Sequence, residues 1–139
     1  MSATRLYRIS AVLFVLFAAG HTFGFFGLQP PTADSAAVWS GMNNVHFNIG
    51  NATYSYGEFY RGSGLTITVY LLFSAFLAWR LGSIAAKWPR AIGWLGWVFC
   101  GAQVAAIVFA AMYFPAPPLI LSILLTVSLG WAAMKVRAA

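Results

Sequence analysis

Long apolar runs broken by short polar or proline-marked stretches set the pattern of this chain. The first run, Ile9 to Leu28, follows Arg5 and Arg8. A basic start and an apolar middle also suit a cleaved leader. Its length matches the roughly 20 residues a span needs, which favours a retained first transmembrane helix over residues 6–28. Gln29-Pro30-Pro31 then stops the helix, because proline cannot continue the hydrogen-bond ladder. A second helix is predicted over 58–81, starting near Tyr56 to Arg61 and continuing through Leu65-Thr66-Ile67-Thr68-Val69-Tyr70. Arg80, Lys87 and Arg90 mark a basic turn. A third helix follows over 91–114, an outward turn at Pro115, Pro117 and Pro118, and a fourth helix over 119–134. The predicted fold is all-α, an integral membrane four-helix bundle forming one domain over 1–139. Gly20 with Gly24, and Gly93 with Gly101, are the positions expected to allow close helix approach.

The connection over 29–57 is long for a compact domain. Asp34-Ser35 is expected to cap a short helix ending near Asn44 or His46. Trp39, Met42, His46 and Ile49 recur at spacings of three and four, so this segment is expected to lie on the membrane or fold back over the bundle mouth. Asn51-Ala52-Thr53 is a formal glycosylation sequon, of consequence only in a eukaryotic secretory setting.

Composition fits the apolar pattern. The chain is 61% hydrophobic and only 7% charged, far from the quarter or so usual for soluble domains. The formal net charge of +6 does not read as nucleic-acid binding, because the basic residues sit at the ends of apolar runs. Four spans place seven of the eight Lys and Arg residues on one side, leaving Arg61 on the other. The positive-inside rule then puts both termini in the cytoplasm and the long connection outside. Five tryptophans, Trp79, Trp88, Trp94, Trp97 and Trp131, fall near helix ends as interfacial anchors do. The single cysteine, Cys100, excludes an internal disulfide and reads as a small buried residue.

Candidate chemistry is concentrated in few residues. His21 lies within the first span, where an ionisable group is expected to face the bundle rather than lipid. It reads either as a proton carrier, metal ligand or ligand anchor, or as a neutral imidazole bonded to another helix. Glu58 and Arg61 share a helix face and pair as a salt bridge, or Glu58 joins His21 and His46 at the bundle mouth. The latter three are the candidate catalytic acid–base set and, if any metal is held, its ligands. Arg61, Tyr54, Tyr56, Tyr60, Asn43, Asn44 and Gln103 are the candidate ligand-binding residues; Gln103 reads equally as an interhelical hydrogen-bonding residue. Several chemistries are disfavoured by what the sequence lacks. No lysine lies inside a span for a retinal-type Schiff base, and no Glu-x-x-His supports a di-iron bundle. No C-x-x-C-H holds covalent haem, and no glycine-rich phosphate loop occurs. No helix carries a polar stripe for a pore.

Gly20-His21-Thr22-Phe23-Gly24 and Glu58-Phe59-Tyr60-Arg61-Gly62-Ser63-Gly64-Leu65 together resemble a group of small, uncharacterised bacterial four-span membrane proteins. These show a His-Thr-x-Gly element in the first helix and Glu or Trp before Phe-Tyr-x-Gly-x-Gly-Leu entering the second. The resemblance covers mainly the first half of the chain. It implies a bacterial inner (plasma) membrane and four spans, and it carries no activity or cofactor. Two functions from different classes follow. One is binding or conversion of a lipophilic small molecule in an outward-opening pocket between helices. The other is a structural or accessory subunit of a larger membrane complex, against which a free homo-oligomer would count; a transporter ranks below both.

Overall fold

Residues 1–27 and 30–137 are described by the computed structural model. The predicted end of the first span at Leu28 and the start of the connection at Gln29 lie outside the described residues. Helix α1 is Ala3–Phe26 and helix α2 is Ala33–Asn44. Strands β1, His46–Ile49, and β2, Ala52–Ser55, pair antiparallel. Helices α3, Tyr56–Lys87, α4, Leu95–Tyr113, and α5, Ala116–Arg137, complete the described chain. The protein is all-α apart from this hairpin. Helices α1, α3, α4 and α5 have 24, 32, 19 and 22 residues and are each long and apolar enough to cross a membrane. At 1.5 Å per residue even the shortest spans roughly the 30 Å hydrocarbon core. The chain is therefore, by length and composition, a multi-pass membrane protein.

The predicted helix ends shift for identifiable reasons. No proline lies between Leu81 and Lys87, and the helix carries Gly82 without ending, so α3 continues to Lys87, and Arg80 and Lys87 lie within it rather than in a turn. A 3₁₀ turn over Pro89–Ile92 and Gly93 at φ 53° then reverse the chain. Helix α4 thus starts at Leu95, later than predicted. Pro117 and Pro118 sit in the first turn of α5, where a missing N–H costs nothing, so the connection shrinks to Phe114-Pro115.

The chain divides into two compact units, Met1–Phe17 with Leu71–Ala139, and Ala18–Tyr70. In the first, one face of α1 is buried at Leu6, Tyr7, Ser10, Ala11 and Phe14, a helical period. Tyr7, Phe14, Leu81, Leu125 and Leu129 are the largest fully buried apolar or aromatic side chains among the described residues. Phe14 stacks on Phe99 with centroids 5.4 Å apart. Ala75, Ala78, Ala132 and Ala133 keep the helix faces flat enough for backbones to approach. Ser10 Oγ, Ser128 Oγ and Leu6 O form a triangle of contacts at 2.9–3.1 Å, in which the two hydroxyl protons are shared between each other and the carbonyl. The opposite faces expose Val12, Leu16, Phe73, Phe76, Val98, Phe109 and Val127, as lipid-facing surfaces do.

The second unit carries the hairpin that the sequence pattern did not predict. Thr32, rather than Asp34 or Ser35, caps α2, in a reciprocal capping box with Ser35. Gly50 at φ 60° turns β1 into β2. His46 then pairs with Ser55, Phe47 with Tyr54, Asn48 with Thr53 and Ile49 with Ala52.

Candidate functional site

Ser55 ends β2 and begins α3. Its Oγ accepts the Glu58 N–H at 3.1 Å, and the Glu58 carboxylate accepts the Ser55 N–H at 2.8 Å. This is a second capping box, and Ser55-Tyr56-Gly57-Glu58 is its sequence signature. Glu58 is thereby committed to starting the helix. Arg61 does not need Glu58 as its partner: its guanidinium donates to Asn43 Oδ1. Asn43 in turn donates to Trp39 O at 2.8 Å, and a Cβ at Gly57 would collide with its amide oxygen. Asn43, Gly57 and Arg61 thus dock the end of α2 on the start of α3.

His21 makes the other link within this unit. Gly64 O can only accept, so His21 Nε2–H donates to it, at 3.0 Å. Thr22 and Thr68 share a hydrogen bond at 2.9 Å, and Thr22 also donates to Ala18 O at 2.8 Å. Phe25 covers buried Gly64 so closely that a Cβ there would meet its ring at 2.5 Å. Phe25 also stacks with His21 at 6.0 Å and packs at a tilt against Tyr60 at 5.1 Å, and Tyr60 meets Trp39 edge-on at 6.1 Å. The two motifs that carry the family resemblance therefore meet in space, through His21, Thr22, Phe25, Tyr60 and Gly64. Gly20 and Gly24 are not the close-approach glycines: a Cβ on either meets nothing within 4 Å. Gly101 is equally open, and Gly93 serves the turn rather than a helix contact.

The three residues of the predicted acid–base or metal set each have a different hydrogen-bond partner. His21 bonds Gly64 O, Glu58 bonds Ser55, and exposed His46 donates from Nδ1 to Asn44 O at 2.8 Å. Among the described residues no group of three His, Cys, Asp or Glu side chains is placed to hold a metal. Glu58 and His46 each bond a backbone group two or three residues away, whereas His21 reaches across from α1 to the backbone of α3. Asn44 likewise turns to Ser40 at 3.1 Å. Tyr56 packs on Phe47 at 4.8 Å, and Tyr54 faces Phe47 at 6.4 Å. Gln103 is half-buried on α4 and belongs to the other unit.

One groove in this unit combines polar and apolar walls. Tyr54, Glu58, Phe59, Gly62, Ser63, Thr66 and Ile67 line about 690 Å³ along β2 and the first turns of α3. Phe59, Gly62, Ser63, Thr66 and Ile67 were not among the predicted site residues. Their signal was the spacing Glu58, Gly62, Thr66 and Phe59, Ser63, Ile67, two adjacent rows of one helix face. The chain matches no protein-family model, no curated protein and no solved structure.

Proposed function

We propose that this protein is a four-span protein of a bacterial inner membrane, with both termini cytoplasmic, that binds or converts a lipophilic small molecule. The groove beside β2 supports this reading. Its volume lies within the range of small-molecule sites. The Glu58 carboxylate oxygen not bonded to Ser55, the Ser63 hydroxyl and the accepting lone pairs of the Thr66 hydroxyl face a polar head, and Phe59 and Ile67 offer an apolar wall to its body. An amphiphile with a hydrogen-bond-donating or cationic head fits that combination.

Native mass spectrometry of protein extracted in mild detergent tests this. A Cβ at Gly62 meets nothing within 4 Å, so Gly62→Phe fills the groove without a core clash. Gly101, equally open, serves as the control through Gly101→Phe. The expected result is a small-molecule adduct on the wild type and on Gly101→Phe, lost on Gly62→Phe. No adduct on the wild type, or equal adducts on both variants, overturns the reading. A second polypeptide held in fixed stoichiometry supports the accessory-subunit alternative instead.

A further inference from the structure

A second groove lies within the other unit, between α1 and α3, and it ends at a fixed cation. Ala11, Val12, Val15 and Leu16 form one wall, and Leu72, Ala75, Phe76 and Trp79 form the other, enclosing about 420 Å³. Every lining residue is apolar or aromatic. At its Trp79 end the guanidinium of Arg8 lies over the indole, 5.1 Å from the ring centroid. Buried Gly82 lets the stem of Arg8 lie against α3: a Cβ there would sit 3.4 Å from Arg8 Cγ. Stacking uses the face of the guanidinium and leaves its N–H edge to bind an anion. The residues of this unit include seven of the eight Lys and Arg side chains and neither of the two acidic ones, Asp34 and Glu58. Arg8 therefore has no carboxylate side chain of its own unit to neutralise it.

We propose that this groove binds an anionic phospholipid, with an acyl chain between α1 and α3 and the phosphate at Arg8. The charge of Arg8 selects the headgroup and the apolar walls select the chain, a pairing common to lipid sites between transmembrane helices. The site is separate from the groove beside β2 and does not depend on that reading.

The test is a native mass-spectrometric titration with phosphatidylglycerol and phosphatidylcholine of identical acyl chains. The wild type should bind the first phosphatidylglycerol about fivefold more tightly than phosphatidylcholine, the worth of one basic side chain near a lipid surface. Arg8→Gln should abolish that preference. Arg137→Gln, which removes an equal charge from over Trp94, should keep it. Val15→Trp, on an exposed wall position, should weaken both lipids by filling the groove. Glycerol phosphate, which has no acyl chain, should not displace phosphatidylglycerol at equal concentration. Equal losses in Arg8→Gln and Arg137→Gln would mean diffuse attraction and overturn the proposal. So would undiminished phosphatidylglycerol binding by Val15→Trp, whose folding is checked by an unchanged melting temperature.

Discussion

Gly64→Ala isolates the contact on which the second unit closes. A Cβ at Gly64 would stand 2.5, 2.7 and 2.9 Å from three ring atoms of Phe25. Carbon atoms rest at roughly 3.5–4.0 Å, so the ring must retreat by about 1 Å. Phe25 has little freedom to do so, because it is stacked on His21 and packed at a tilt against Tyr60. Overpacking of this kind costs about 1–3 kcal/mol. The gain from replacing a helical glycine offsets roughly 0.5–1 kcal/mol of it. Net destabilisation of about 1–2 kcal/mol is expected, read as a lowered melting temperature in detergent by tryptophan fluorescence. His21→Phe keeps a ring but removes the Nε2–H bond to Gly64 O, and interhelical bonds in membranes average about 0.6 kcal/mol. It should therefore be milder than Gly64→Ala. In a Phe25→Ala background the Gly64→Ala penalty should vanish, because the clashing ring is gone. Gly20→Ala and Gly24→Ala, with nothing within 4 Å, should be neutral or stabilising. A Gly64→Ala protein as stable as the wild type, or a Gly24→Ala protein equally damaged, would refute this packing.

Three further outcomes follow from single contacts. Asn43→Ala removes the bonds to Arg61 and Trp39 O, so limited proteolysis should cut α2 and the hairpin faster while leaving fragments from α4 and α5 unchanged. Gly50→Ala forces an L residue to φ 60°, costing about 1–2 kcal/mol; amide exchange over His46–Ser55 should rise, and Gly50→Asn should largely restore protection. Tyr7 is buried with no hydrogen-bond partner for its hydroxyl among the described residues, and a Cβ at Gly96 would strike that oxygen. Tyr7→Phe should thus be neutral or stabilising, and it should rescue the melting temperature lost in Gly96→Ala.

The four spans were legible because about 20 apolar residues between polar breaks have few structural solutions. Two elements of the second unit were also written in the sequence, in shorter signals. Ser55-Tyr56-Gly57-Glu58 spells a capping box, and it explains Glu58 without a catalytic role. Gly50-Asn51 between Phe47-Asn48-Ile49 and Ala52-Thr53-Tyr54 is a two-residue hairpin signal. Reading Trp39 to Ile49 at helical spacing concealed it, because the period of Trp39 and Met42 ends with α2 at Asn44.

Which face of each span turns inward was far less legible, and the bilayer is the reason. In water an amphipathic helix declares its buried face, because the other face must be polar. In lipid both faces are apolar: Val12 and Val15 are exposed while Ala11 and Phe14 are buried, and hydropathy alone does not separate them. Spacing rules fail for the same reason. Gly20 and Gly24 have the small-x-x-x-small spacing yet face open space, whereas Gly64, Gly82 and Gly96 make the close approaches. Orientation is instead carried by polar atoms that lipid cannot satisfy. Ser10 and Ser128 bond across to one carbonyl, and His21 and Thr22 bond to Gly64 and Thr68. Each of these side chains was visible in the sequence as a polar residue inside an apolar run. What the sequence could not supply was the pairing, since Ser10 and Ser128 are 118 residues apart, and it is the pairing that ties His21 on α1 to Gly64 on α3.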